Sequence, residues 1–167
     1  MWLSDRRKFL ALGAAAAMLT GCGYTPVYGP GAASSKLRDA IFIPKPSTED
    51  LFQIVQHFEQ KMGRADEKQA AYRLNITASK SLSGLGATAT GGTTRFHWTG
   101  TLTYSLTDPT GGQTFAQDTI QRFTGYSATV NTAATLASER DAARRLMLIL
   151  TDAMIDQLLQ IDPATLP

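Results

Sequence analysis

Thirteen residues, Arg95 to Thr107 (RFHWTGTLTYSLT), alternate between apolar and polar side chains. Phe96, Trp98, Leu102, Tyr104 and Leu106 fall on one parity; Arg95, His97, Thr99, Thr101, Thr103 and Ser105 fall on the other. A helix would scatter both sets around its circumference, whereas an extended strand puts each on its own face. The segment is therefore a half-buried strand. The rest of the chain must pair its edges and cover one face with apolar groups, leaving the other face polar.

The flanking sequence supplies those parts. Ala40-Ile41-Phe42-Ile43, closed by Pro44 and Pro46, reads as a brief first strand. Ser47-Thr48-Glu49-Asp50 offers caps and first-turn acids, and Leu51, Ile54, Val55, Phe58 and Met62 follow at helical spacing up to a stop at Gly63. Tyr72 to Ser79 alternates as a second strand, and residues 81 to 94 (SLSGLGATATGGTT) read as a loop or frayed hairpin. After the Asp108-Pro109-Thr110-Gly111-Gly112 turn, Gln113 to Tyr126 returns as a strand. Its parity breaks between Phe115, Phe123 and Ile120, which predicts a bulge.

Beyond Asn131 a long helix is expected, with Ser138-Glu139-Arg140-Asp141 resembling a capping box. Ala142, Leu146, Ile149, Ala153 and Leu158 run down one face, widened by Met147, Leu148, Leu150, Met154, Ile155 and Leu159. The order strand, helix, three meandering strands, helix predicts an α+β two-layer sandwich: about four mostly antiparallel strands with two helices on one face. The uncovered face would be Thr, Ser and Asn with Arg73, Arg95, His97 and Arg122.

The N-terminus has a different grammar. Ser4-Asp5-Arg6-Arg7-Lys8 precedes eleven uncharged residues, Phe9 to Leu19, too few to span a bilayer but suited to the apolar region of a signal peptide. Leu19-Thr20-Gly21-Cys22 then resembles a bacterial lipobox, in which the thiol is acylated and the chain is cut before it. Cys22 is the chain's one cysteine, so an internal disulfide is excluded, and no partner base lies close in sequence. Residues 1–21 are thus read as a lipoprotein signal, 22–36 as a Gly/Pro/Ser-rich tether, and 37–167 as a single domain. Tyr24, Val27 and Tyr28 are apolar enough to lie in part against the domain or a partner. Arg6-Arg7-Lys8-Phe9-Leu10 fits either a twin-arginine signal or an ordinary basic n-region. Gly23, where Asp would favour the inner membrane, leans toward the outer membrane.

Charge and site patterns narrow function further. The whole chain carries 16 Lys/Arg against 14 Asp/Glu; without Arg6, Arg7, Lys8 and Asp5 the mature body has 13 of each. A neutral body gives no electrostatic reason to bind nucleic acid. Two isolated histidines, His57 and His97, offer no metal-ligand spacing, and no Ser lies in a G-x-S-x-G turn. No catalytic set and no cofactor is expected, apart from the covalent lipid on Cys22.

Four stretches carry a family likeness. Cys22 followed by Gly-Tyr-Thr-Pro-Val-Tyr-Gly (23–29), then Tyr104-Ser105-Leu106-Thr107-Asp108, Arg122-Phe123-Thr124-Gly125-Tyr126-Ser127 and Ala137-Ser138-Glu139-Arg140-Asp141-Ala142, are similar to the lipopolysaccharide-assembly lipoprotein family LptE, of the alphaproteobacterial type. The resemblance implies a helix-backed sheet seated as a plug inside the outer-membrane β-barrel LptD, with lipopolysaccharide as the transported partner. It implies a lipid-anchored body on the periplasmic side or within the barrel. On this reading Arg95, Arg122 and Lys80, on the polar face and its rim, contact the anionic lipid. The alternative, which surface cations favour by default, is that they are ordinary surface charges or contacts to acidic lumen residues. The competing reading of the whole chain is a free periplasmic ligand-binding lipoprotein or small lipid-anchored enzyme.

Overall fold

The computed structural model describes residues 29, 31–87, 93–129 and 131–167. The signal segment, Cys22, the tether up to Tyr28 and Gly91-Gly92 lie outside the described residues. The elements are α1 (Ala33–Leu37), β1 (Ile41–Phe42), α2 (Glu49–Met62), β2 (Tyr72–Ala87), β3 (Thr93–Thr107), β4 (Thr114–Ser127), α3 (Thr132–Leu159) and a final 3-10 turn (Pro163–Thr165). The strands lie in the order β1-β2-β3-β4, with β1 parallel to β2 and the other two pairs antiparallel. This is the expected α+β sandwich with a mostly antiparallel sheet.

The packed domain reaches back into the segment read as tether, since Ala33, Ser34 and Leu37 of α1 are buried. Lys36 fixes α1 to the C-terminus by donating to the carbonyls of Pro163 (3.0 Å) and Leu166 (2.7 Å). In α2, Thr48 Oγ1 accepts from the Leu51 amide (3.2 Å), and Ile54, Val55, Phe58 and Met62 are buried. The helix ends at Gly63, whose φ of 80° and tight approach to Asp39 leave no room for a β-carbon.

Residues 81–87 and 93–94 are strand rather than loop: β2 runs to Ala87 and pairs there with Thr93. Small Ser, Gly and Thr residues hide the alternation there, so ladder pairing extends further than the apolar pattern. The expected bulge is present. Leu106 faces Ala116 but Thr107 faces Thr114, leaving Phe115 extra, with its ring edge-on to Tyr72 at 5.5 Å. From Ala116 onward the even-numbered residues of β4 therefore turn toward the helices, and Ile120 is buried opposite Leu102.

Helix α3 starts at an Asn131 cap, which accepts from the amides of Ala133 (3.0 Å) and Ala134 (3.2 Å). Ser138 is therefore interior to the helix, its hydroxyl donating back to the Ala134 carbonyl at 2.9 Å, and the expected capping box is not a cap. Leu146, Met147, Leu150, Met154, Ile155 and Leu158 join Ile54, Phe58 and Met62 of α2 and Leu74, Leu102, Leu106 and Ile120 of the sheet in one core. Ile149, expected on the buried face, is 41% exposed. The apolar stripe is so broad that sequence periodicity does not fix its limits.

Candidate functional site

Register assigns every sheet residue to a face. Leu74-Leu106-Ala116 and Ala78-Leu102-Ile120 are cross-strand rows on the covered face. Between them, Tyr104 donates its hydroxyl to Gln157 Oε1 (3.1 Å), and Gln157 Nε2 donates to Asp118 Oδ2 (2.8 Å). Burial, and then the Asp118 charge, push the Tyr104 hydroxyl above its ordinary pKa. This chain joins α3 to the sheet and contains no nucleophile activated for reaction.

The opposite face is open. Its rows read Asn75-Ser105-Gln117, Thr77-Thr103-Thr119, Ser79-Thr101-Gln121, Ser81-Thr99-Phe123 and Ser83-His97-Gly125. Histidine is the one titratable residue type in those rows. Thr103 and Thr119 share a hydroxyl–hydroxyl bond of 2.9 Å, and Thr77 Oγ1 reaches the Thr103 carbonyl at 3.5 Å. A shallow depression of about 570 Å³ is lined by Asn75, Thr77, Thr103, Ser105, Gln117 and Thr119, together with Tyr104 and Asp118. These five rows present hydroxyls and amides that can donate and accept, with fixed charge only at the ends of the face, where Arg73 and Arg95 lie.

The three cations expected on this face and its rim are split by the structure. Arg95 lies on the open face beside Leu85 and Ser127, exposed and without a hydrogen bond or ion pair among the described residues. His97 stacks on Phe123 two residues along, with centroids 5.3 Å apart. Lys80 and Arg122 are both partners of Gly100, which packs against Leu146 and Leu150 of α3, so they belong to the covered face. Lys80 is bonded to Asp50 (2.6 Å) and stands 5.5 Å from the Trp98 ring centroid. Arg122 donates to the Gln121 carbonyl at 2.8 Å. The parity change at Phe115 explains Arg122. Lys80 shares the parity of Leu74, Ile76 and Ala78, so its position was legible in the sequence.

Two features were not anticipated. Asp152 of α3 accepts from His57 Nε2 (2.7 Å) and Lys61 Nζ (2.8 Å) of α2, a helix-to-helix clamp whose only sequence trace is the His57/Lys61 spacing of one turn. Burial raises the Asp152 pKa, but the hydrogen bonds from Lys61 and His57, with their charges, outweigh it and hold the carboxyl below its ordinary value. Separately, Phe42, Ile43, Pro46, Phe52 and Val55 line a largely apolar groove of about 530 Å³, with Lys45, Gln56, Glu59 and Arg64 as its polar lining. Among the described residues there is no group of three or more His, Cys, Asp or Glu able to hold a metal ion. No helix among them is long and apolar enough to cross a membrane.

The fold and its faces define a class: a two-layer α+β domain that buries one side of a short meander under helices and leaves the other as a neutral polar wall. The chain belongs to the LptE family, lipopolysaccharide-assembly, whose profile matches residues 34–158. No curated protein sequence matches it. Among solved structures it is similar to a candidate lipoprotein from Caulobacter crescentus (16% identity, 76% of this chain and 92% of that one, TM-score 0.60). Rare lipoprotein B from Shewanella oneidensis (14%, 71% and 91%, TM-score 0.54) shares the fold. So does a minor lipoprotein from Acinetobacter baumannii (18%, 71% and 89%, TM-score 0.53).

Proposed function

We propose that this chain is a non-catalytic outer-membrane lipoprotein, anchored through lipid on Cys22 after removal of residues 1–21. Its domain plugs and helps assemble the β-barrel LptD and takes part in moving lipopolysaccharide to the cell surface. Membership of a lipopolysaccharide-assembly family supports the pathway. The observation that carries the mode of action is the open sheet face, whose rows between Arg73 and Arg95 are Ser, Thr, Asn and Gln apart from the stacked His97 and Phe123 and Gly125. Such a surface exchanges water for the polar groups of a barrel lumen at low desolvation cost, as a charged face would not. Arg95, on the same face and without an ion pair among the described residues, is placed first among contacts to anionic lipid; Arg122 and Lys80 stand behind it. Arginine suits phosphate because its fork can bond two oxygens at once.

The apolar groove at Phe42 and Phe52 favours the second reading, a free ligand-binding lipoprotein. Affinity purification of the chain from detergent-solubilised outer membranes separates the two. A stoichiometric barrel partner supports the plug; a chain recovered alone supports the second reading.

A further inference from the structure

We propose that the free edge of β4 is a self-pairing surface, on which a second copy adds its own β4 antiparallel about Ile120. This edge is distinct from the open face and does not depend on the function proposed above. β4 closes the sheet on one side, runs for 14 residues and contains no proline. An edge strand of that length is a template for another strand unless it is guarded.

The guards are visible. In an antiparallel ladder alternate residues turn both backbone groups to the same side. On β4 the Thr119 amide donates to the Asp118 carboxylate (2.7 Å), and the Gln121 carbonyl accepts from the Arg122 guanidinium (2.8 Å). Thr119 and Gln121 therefore face outward, and exposed side chains cover their edge groups. About a two-fold axis through Ile120, Thr119 lies opposite Gln121 of the other copy. The same amide and carbonyl then bond between copies.

Release of the guards is compensated by the same symmetry. Asp118 and Arg122 stand two residues either side of Ile120, so each Asp118 lies directly opposite the other copy's Arg122. Opposite charges at such positions stabilise a strand pair, and like charges destabilise it. The sequence Asp-Thr-Ile-Gln-Arg is thus self-complementary in charge when antiparallel.

Two exposed apolar side chains flank the edge, one on each face. Phe123 is 67% exposed on the open side. Ile149 lies on the flank of α3 over β4: one heptad earlier, the Ala142 carbonyl accepts from Thr124 of β4, and eight residues later Gln157 donates to Asp118. A second copy seated on the edge would shelter both from water.

The test is sedimentation equilibrium of the full mature chain in detergent, with circular dichroism to confirm folding. The wild type should be dimeric at about 100 μM, within reach of even a small specific interface. Asp118→Arg and Arg122→Asp should each raise the dissociation constant about tenfold or more, because each sets like charges opposite at two places. The double variant Asp118→Arg/Arg122→Asp should restore the dimer. Asp118 also accepts from Gln157, so Arg122→Asp, which disturbs one edge contact alone, guards against a folding artefact. A monomeric wild type overturns the proposal. So does a dimer indifferent to both single reversals, or one that they break and the double variant does not restore.

Discussion

Gly100 lies so close beneath Leu150 that a β-carbon on it would stand 2.8 Å from Leu150 Cδ1, and 2.9 Å from Leu146 Cδ2. Both leucines are fully buried, so neither can swing into solvent to make room. The absence of a side chain at this strand position lets α3 settle onto β3. Gly100→Val should cost about 1–3 kcal/mol through overpacking. Thermal melting of the variant against wild type checks it; an unchanged Tm would mean that α3 is not held at this distance.

Leu146 and Ile149 are three residues apart on α3 but differ in burial, with Leu146 at 0% and Ile149 at 41% exposure. An unpaired carboxylate at Leu146 loses several kcal/mol, a large part of a domain's ~5–15 kcal/mol margin, whereas at Ile149 it stays hydrated. Leu146→Asp should abolish the cooperative transition in circular dichroism. Ile149→Asp should melt within a few degrees of wild type.

The clamp between Asp152, His57 and Lys61 gives a dependence on pH with a definite sign. The folded-state pKa of Asp152 is lowered from 3.8, so its stabilising contribution is present above the ordinary carboxylate range and is lost as pH falls through the folded value. Asp152→Asn should be less stable than wild type at pH 6, and the difference should close as pH drops below about 4. Paired melts over that range read it. A difference that widens toward acid would contradict the clamp.

Arg95→Glu should weaken binding of purified lipoprotein to lipopolysaccharide by about 1–3 kcal/mol, the value of a charge-assisted hydrogen bond. Lys80→Glu should affect stability more than binding, because Lys80 is already bonded to Asp50. Titration against lipopolysaccharide, with melts alongside, separates the two. Equal binding losses from both reversals would favour diffuse attraction over a contact at Arg95.

The legibility of this fold in its sequence followed side-chain size. Where large apolar groups alternate, as from Phe96 to Leu106, strand and face could be assigned from residues alone. Between residues 81 and 87, where Ser and Gly alternate with Leu82 and Leu85 on opposite parities, the strand continues through backbone pairing that no single apolar face marks. Arg122 and Ile149 lie away from the sides that periodicity predicts, for different reasons. The single extra residue Phe115 inverts parity along β4. On α3, eleven apolar positions over less than five turns define a buried side without defining its edge. The Asp152 clamp was hidden because its members are about ninety residues apart and become neighbours only when α2 and α3 pack.

Whether the polar open face meets a barrel wall is read by site-specific photocrosslinking in intact cells. A photoreactive residue at Thr77, Thr101 or Thr103 projects from that face, while one at Gln60 projects from the exposed side of α2. The expected result is a single high-mass adduct with an outer-membrane β-barrel from the three sheet positions, and a weaker one or none from Gln60. Adducts absent from all three sheet positions, in cells where the chain is present at its normal level, would contradict it.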